Sequence, residues 1–137
     1  MSKFLCDIVT PEKELFSEEI NFVVVPGSEG EIGLLAQHAP TVSTLKMGEI
    51  RLKMEADSET ESYLVNGGYV EAIGTKVVVL ASRAEKVGNT DIAEVKAKKA
   101  EAEAKLSKVE EEDSRAAFYR EEVAWYTFME TLLQRKQ

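Results

Sequence analysis

The amino-acid pattern changes abruptly near residue 88, and this change constrains the fold more than any other feature of the sequence. Up to about Ala84 the chain carries short runs of β-branched and aromatic residues, which are typical of strands. Residues 91–109 then contain neither Gly nor Pro, and Ala, Glu and Lys dominate, which favours helix. Because no single structural class fits both parts, we expect two domains, residues 1–86 and residues 87–137.

The first part is predicted to form many short strands. Residues 50–55 give the clearest signal, because apolar and charged residues alternate there as in a strand with one solvent-facing side. Turn-forming residues separate the runs, for example Pro26-Gly27 and Asn66-Gly67-Gly68. Short strands at such close spacing indicate a β-sandwich or a barrel.

The second part is predicted to form two helices joined by a short polar link. Asp91 followed by Glu94 resembles a capping arrangement, and Asp113 or Ser114 suits the cap of a second helix over residues 115–134. Two helices with a short link favour an antiparallel hairpin. A stripe of small side chains on the first helix would let the second helix approach closely. This stripe comprises Ala93, Ala97, Ala100 and Ala104.

The charge of the chain limits its partners. Its 137 residues carry a formal net charge of −8. An acidic chain gains nothing from neutralising phosphate, so we expect no nucleic-acid partner. Acidity also opposes docking on an anionic lipid surface, and neither a signal peptide nor a long apolar run is recognised. We therefore expect a cytoplasmic protein that reaches a membrane only through a partner.

Catalytic chemistry has little support in the sequence. His38 is the only histidine, so no His-Cys or Ser-His-Asp constellation can be assembled without it, and a cluster of metal-binding imidazoles is excluded. Cys6 is the only cysteine and lies in an apolar run, which suits a buried and inert strand position. The many carboxylates of the helical part are typical of a solvated face. We expect no enzyme, no cofactor and no metal.

Residues 26–33, which read PGSEGEIG, form a glycine-rich run. The run lacks the lysine and the Ser or Thr of a phosphate-binding P-loop. Its three glycines, Gly27, Gly30 and Gly33, instead favour a tight loop that uses positive-φ backbone.

The longer stretch from Pro26 to Pro40, PGSEGEIGLLAQHAP, resembles the signature of ATP synthase epsilon subunits. That signature is Pro-Gly-x-x-Gly-x-(Leu/Ile)-Gly-(apolar)-Leu, two residues, then His-Ala-Pro. Further similarity lies in Thr10-Pro11-Glu12 and in residues 67–71, which lead to residues 77–80. The resemblance covers essentially the whole chain. It implies an N-terminal ten-stranded β-sandwich followed by a C-terminal antiparallel two-helix hairpin.

The resemblance also implies a function. Epsilon subunits are non-catalytic rotor components of the central stalk, on the cytoplasmic face of the cell membrane and peripheral to it. Their sandwich binds the gamma subunit and the ring of c subunits. Rotation of this assembly couples ion flow to ATP synthesis, and the hairpin regulates ATP hydrolysis through transient contacts with the alpha and beta subunits.

The resemblance places the ring contact in the loop from Glu29 to Thr44. By similarity, Glu29, Glu31 and His38 are expected to face the polar loops of the c ring. Four residues are expected to build the loop itself: Gly27, Gly30, Gly33 and Pro40. His38 fits either role, as a ring contact or as a builder of the loop.

The resemblance places regulation in the hairpin. Its expected regulatory residues are Asp91, Arg115, Arg120, Trp125, Phe128 and Met129. The apolar surplus of the second helix fits a segment that docks in two alternative places. Permanent packing of the hairpin fits the same residues.

Some members of the family bind ATP through an (Ile/Leu)-Asp-x-x-Arg-Ala motif on the hairpin. In residues 90–95 only Asp91 matches the motif, because Glu94 stands at the arginine position and Val95 at the alanine position. A carboxylate repels phosphate. We therefore expect ATP binding to be weak or absent at millimolar concentration.

Two other functions compete with the rotor function. One is an autonomous sandwich that binds carbohydrate and dimerises through a helical tail. It is disfavoured because the aromatic residues fall in predicted strands and in the second helix instead of at loop tips. The other is an enzyme with paired carboxylates. It is disfavoured because the carboxylates of the helical part are typical of a solvated face.

Overall fold

The structure is a computed structural model and describes residues 2–136. In this part of the chain, ten strands are followed by a 3₁₀ turn over Val87–Asn89 and by two helices. The prediction of a ten-stranded β-sandwich followed by a helical hairpin is confirmed. The strands are β1 (Phe4–Val9), β2 (Glu14–Ile20), β3 (Phe22–Gly27), β4 (Gly30–Leu34), β5 (Thr41–Leu45), β6 (Gly48–Lys53), β7 (Glu61–Val65), β8 (Gly68–Ile73), β9 (Lys76–Ala81) and β10 (Ala84–Lys86). The helices are α1 (Ile92–Ser107) and α2 (Ser114–Arg135).

The strands form two layers that meet at a corner. Their hydrogen-bonded order is β10-β7-β6-β3-β5-β8-β9-β1-β2, and β4 pairs with β3 beside this path. The path turns from one layer to the other where Gly27 pairs with Leu45, the single register pair between β3 and β5. β1 pairs with β9 in parallel, and β1 pairs with β2 antiparallel. The stretch from Pro40 to Leu45 contains β5.

Alternating side chains fill the space between the two layers. In β1, Phe4, Cys6 and Ile8 are fully buried, and the residues between them are not. The layers meet where the ring of Phe16 on β2 lies edge-on to Tyr63 on β7, with 6.0 Å between centroids. Burial of each large apolar side chain contributes about 1.5–3 kcal/mol. The predicted buried position of Cys6 is confirmed, and this burial raises the pKa of the Cys6 thiol to about 12.

The chain separates into two compact units between Gly88 and Asn89, and the helices belong to the second unit. The helices run antiparallel, since the Nζ atom of Lys99 lies 3.6 Å from the carboxylate of Glu130 near the end of α2. Residues 98–105 of α1 share a groove with residues 118–126 of α2. Within residues 2–136, no helix is long and apolar enough to cross a membrane.

The face of α1 that meets α2 is not the predicted alanine stripe. Val95 and Ala102 are buried, and they lie on the same face as Lys99, which pairs with Glu130. Val95, Lys99 and Ala102 are spaced by four and three residues, as in a helical contact stripe. The four residues of the predicted stripe are all exposed: Ala93, Ala97, Ala100 and Ala104. The prediction was wrong because burying Val95 removes more apolar area from water than burying an alanine does.

Val95 and Ala97 provide a matched test of this assignment. Replacing Val95 by Ala should lower the free energy of unfolding by about 1.5–3 kcal/mol, because two buried methyl groups are lost and a cavity remains. Replacing the exposed Ala97 by Leu should change it by no more than about 0.5 kcal/mol. Denaturant titration followed by the fluorescence of Trp125, the only tryptophan, measures both. A large loss for Ala97→Leu would show that the alanine stripe does pack against α2.

Candidate functional site

The glycine-rich run folds as a β-hairpin and not as an open loop. β3 and β4 pair from Val23 with Leu34 to Gly27 with Gly30, and Ser28 and Glu29 form the exposed tip. Gly30, just after the tip, has a φ of +138°, which other residues rarely adopt. The motif therefore presents its first acidic residue, Glu29, at the tip of a two-stranded arm, the β3–β4 hairpin.

The glycines of the run differ in whether the surrounding structure leaves room for a side chain. A Cβ atom on Gly27 would lie 2.7 Å from the carbonyl oxygen of Gly30 and 2.8 Å from Cδ1 of Ile32, so no side chain fits there. Gly33 has no positive φ, and a Cβ atom would meet Phe22 at an ordinary 3.5 Å. The expectation of positive-φ backbone is therefore wrong for Gly27 and Gly33. Gly27 is needed for a close approach, and Gly33 has room for a side chain.

The carboxylate of Glu31 is held by Arg51. Nη1 and Nη2 of Arg51 donate to the two oxygens of Glu31 at 2.9 and 3.2 Å. These charge-assisted hydrogen bonds hold the pKa of Glu31 below its usual range. Glu29 makes no hydrogen bond or ion pair with any residue in 2–136. Its carboxylate is therefore available to bind a partner, whereas that of Glu31 is already paired with Arg51. Arg51 was not among the predicted site residues, although its place in the alternating strand at residues 50–55 put it on the solvent-facing side.

His38 lies in the short connection between β4 and β5, and its side chain is partly buried against the sandwich. The residue before it, Gln37, has a φ of +62°. The ring is half-buried, lies edge-on to Phe4 with 6.1 Å between centroids, and donates from Nδ1 to the carbonyl oxygen of Ala39 at 3.2 Å. Pro40 follows as an exposed residue just before β5. His38 thus contacts β1, whereas Glu31 is tied to β6.

The outer face of β5, β8 and β9 carries an exposed apolar patch. Val42 is 73% exposed, Tyr69 and Ile73 are each 58% exposed, and Leu80 is 51% exposed. Tyr69 lies beside Leu80 in the register of β8 and β9, and Val42 lies beside Glu71 on β8. Alternation along the strands places all four on one side of the sheet. The sequence signal for this patch was the unbroken apolar run at residues 77–80, where a one-sided strand would alternate.

The cationic residues predicted for the hairpin do not form a joint site with Asp91. Asp91 caps α1 by accepting from the backbone N–H of Ala93 at 2.8 Å. Arg115 is engaged by Asp113, the cap of α2, with 2.7 Å between Nη2 and Oδ2. Because the helices are antiparallel, Asp91 and Arg115 lie at opposite ends of the hairpin, separated by the length of α1, which is about 24 Å at 1.5 Å per residue.

The hydrogen bonds from Arg115 lower the pKa of Asp113 to about 2. The Asp113 carboxylate therefore stays ionised, and continues to cap α2, from neutral pH down to strongly acidic pH. Its contribution to stability is present above the ordinary aspartate range and is lost only as the pH falls toward about 2.

The remaining predicted residues of the hairpin are mostly apolar and packed. Trp125 and Met129 are buried, and Phe128 is half-buried with its ring 5.9 Å from that of Trp125. Arg120 is exposed. The hairpin also has a groove of about 230 Å³ in which Phe118, itself 59% exposed, is a wall. The other walls are Lys98, Glu101, Ala102, Lys105, Tyr119, Glu122 and Tyr126.

Comparison with known proteins agrees with this architecture. The family described as "ATP synthase, Delta/Epsilon chain, beta-sandwich domain" matches residues 3–87. The ATP synthase epsilon chain of Desulforamulus reducens is 46% identical over 101 residues, which are 74% of this chain and 75% of the relative. That of Dehalococcoides mccartyi is 43% identical over 107 residues, 78% of this chain and 75% of the relative.

Solved structures share the fold. A chain in the mitochondrial ATP synthase of Euglena gracilis, solved as OSCP/F1/c-ring, superposes with a TM-score of 0.75 at 20% identity, over 97% of this chain and 82% of that one. A chain from the central stalk and c-ring of the Tetrahymena thermophila mitochondrial ATP synthase gives a TM-score of 0.57 at 16% identity, over 94% and 97%. At these identities the likeness concerns the fold alone.

The chain belongs to the ATP synthase delta/epsilon family, and its relatives are named as epsilon chains. The resemblance drawn from residues 26–40 is therefore confirmed. Membership in this family makes the chain a non-catalytic subunit and not an enzyme.

Gly27 and Gly33 allow a test of the arm. Gly27→Ala should lower the free energy of unfolding by about 1–3 kcal/mol, because the backbone must move to admit the methyl group. Gly33→Ala should be neutral or stabilising by up to about 1 kcal/mol, because alanine suits a strand interior better than glycine. Chemical denaturation of the two variants measures the difference. Equal destabilisation by both changes would contradict the assignment of the close approach to Gly27.

Proposed function

We propose that this chain is a rotor subunit of the central stalk of an F-type ATP synthase, in which the sandwich joins the gamma subunit to the ring of c subunits. The complex would place it on the cytoplasmic face of the cell membrane, held there only through its partners. The observation that carries the proposal is the exposed apolar patch of Val42, Tyr69, Ile73 and Leu80, in a chain of this family.

The patch favours a protein partner. Four large apolar side chains on one sheet face, each more than half exposed, are unusual in a chain that works alone. Covering such side chains contributes about 1.5–3 kcal/mol each. We assign this patch to gamma because a permanent contact between rotor subunits requires stable apolar burial.

The ring contact is assigned to the arm and the connection that follows it. Glu29 is exposed at the tip of the arm, where it can meet a polar loop of the ring, and Glu31 lies two residues further along β4. Gly27 and Gly30 shape the tip, and the packing of His38 against Phe4 supports a role in shaping the connection, together with Pro40.

We propose that the hairpin, residues 89–137, regulates ATP hydrolysis by docking transiently on the alpha and beta subunits. Its separation from the sandwich as a compact unit supports this proposal. Apolar side chains on α2, among them Trp125, Phe128 and Met129, outweigh cations such as Arg115 and Arg120. ATP sensing by the hairpin is not part of the proposal, because Glu94 opposes phosphate and Asp113 engages Arg115.

The assignment of the patch to gamma predicts the effect of a charge within it. Leu80→Glu should weaken binding to purified gamma by at least about tenfold, because the loss of 1.5–3 kcal/mol of burial corresponds to tenfold or more. Thr60→Glu, which adds the same charge at an exposed position between β6 and β7, should bind within about twofold of the parent chain. Titration calorimetry measures both. Unchanged binding by Leu80→Glu would exclude the patch as the gamma contact.

The proposed regulation predicts the effect of removing the hairpin. A chain ending at Gly88 should assemble normally and raise ATP hydrolysis by the complex. The restraint by the full-length chain should depend little on salt, because exposed ion pairs contribute only about 0–1 kcal/mol whereas apolar burial is unaffected by screening. Hydrolysis rates at low and high ionic strength measure this. Equal rates for the two chains would show that the hairpin is no brake, and a restraint abolished by salt would assign it to the cations.

A further inference from the structure

We propose that Arg51 is a positioning residue for the ring contact: it holds the carboxylate of Glu31 so that Glu31 accepts hydrogen bonds from neutral polar groups of the ring. This inference rests on the proposed function, in which Glu31 faces the ring. It adds a residue that the sequence motif does not contain, since Arg51 lies on β6, outside the stretch from Pro26 to Pro40.

The ion pair crosses β3, the strand between β4 and β6. β4 and β6 lie on opposite sides of β3, where Glu31 pairs with Pro26 and Arg51 with Val24. Both carboxylate oxygens of Glu31 accept from the guanidinium, at 2.9 and 3.2 Å. Glu49 lies further off, 3.9 Å from Nη1. The fork of Arg51 is therefore directed at Glu31.

The pair remains accessible to a partner. The side chain of Glu31 is 56% exposed and that of Arg51 is 38% exposed. At such exposure an ion pair contributes little to the stability of the fold. Its effect lies in fixing a flexible carboxylate, because a side chain that is already ordered loses less entropy when a partner binds. A bidentate guanidinium fixes both oxygens at once, which a single ammonium group does not.

The pair also selects the chemistry of the partner. A cation of the ring approaching Glu31 would meet the positive charge of Arg51. A backbone N–H, amide or hydroxyl group meets no such repulsion and can use the lone pairs that Arg51 leaves free. Because Arg51 lowers the pKa of Glu31, the carboxylate is an ionised acceptor throughout the neutral range. Glu29, without a partner among residues 2–136, is the acidic residue of the arm that suits a cation.

A double-mutant cycle on full-length chains tests the inference. The variants are Glu31→Gln, Arg51→Gln and the double variant, and the readout is their affinity for a purified complex of gamma and the c ring. Each single change should weaken binding by about threefold to tenfold, and the double variant should bind no more weakly than either single variant. Arg51→Lys should fall between Arg51→Gln and the parent chain, because the charge is kept and the fork is lost. Lys53→Gln, which removes one positive charge from the same side of β6, should leave the affinity unchanged.

A second readout separates positioning from a purely structural effect. Titration of the Glu31 side-chain carbon by NMR in the isolated full-length chain should give a pKa that rises toward the ordinary glutamate range in Arg51→Gln and not in Lys53→Gln. Thermal unfolding of each variant identifies any loss of fold. If Arg51→Gln fails to fold, Arg51→Lys carries the comparison with Glu31→Gln.

The outcomes distinguish this inference from the proposed function. If Glu31→Gln weakens binding and Arg51→Gln does not, Glu31 needs no positioning and only this inference fails. If Arg51→Gln weakens binding equally in the presence and absence of Glu31, Arg51 acts independently and the inference also fails. If Glu31→Gln binds normally and the Glu29→Cys variant forms no cross-link to the ring, the ring contact itself is wrong and both proposals fall. Both proposals are supported if the effects of Glu31→Gln and Arg51→Gln on affinity are non-additive and position 29 cross-links to the ring.

Discussion

The backbone of Gly27 approaches that of Gly30 so closely that no side chain fits between them, and the two layers of the sandwich join at the same residue. Gly27 pairs with Gly30 to close the arm and with Leu45 to turn the hydrogen-bonded path from one layer to the other. Gly27 thus lies at both the exposed tip and the junction of β3 with β5, where Ser28 N–H donates to the carbonyl oxygen of Thr44 and Lys46 N–H to that of Pro26. A side chain at Gly27 would disturb the proposed ring contact and the alignment of the two layers together.

The surfaces of the sandwich are divided by chemistry. The outer face of β5, β8 and β9 carries the apolar patch, with Glu71 beside Val42, whereas β4 and β6 present the ion pair of Glu31 and Arg51. Apolar contact is non-directional and strengthens with area, while paired charges add direction and little energy. This division suits one lasting partner on the apolar face and a polar partner whose orientation matters on the charged one. The alternative of a carbohydrate-binding module finds no support in it, because the exposed Tyr69 lies within a strand face and not at a loop tip.

Much of the fold follows from local sequence, and the errors arise where long-range packing decides. The strands, both helices and their Asp91 and Asp113 caps were predictable, because alternation and capping are local. The contact face of α1 was not predictable. The exposed alanines, such as Ala97, and the buried residues, such as Val95, both recur with the helical period. Which face is buried depends on the partner helix, and propensity carries no information about it. At the candidate site, Glu31 stood in the motif, but Arg51 becomes its neighbour only through the pairing of β3 with both β4 and β6.

The parallel pairing of β1 with β9 has a consequence for synthesis of the chain. Leu5 on β1 lies beside Lys76 on β9, so β1 can complete its pairing only after nearly the whole sandwich has been translated. Until then the hairpin of β1 and β2 presents Phe4, Cys6 and Ile8 without the layer that covers them. Contacts between such distant residues form slowly, whereas helical contacts are local and form quickly. The long-range contacts that complete the sandwich are therefore expected to form more slowly than the local contacts within each helix.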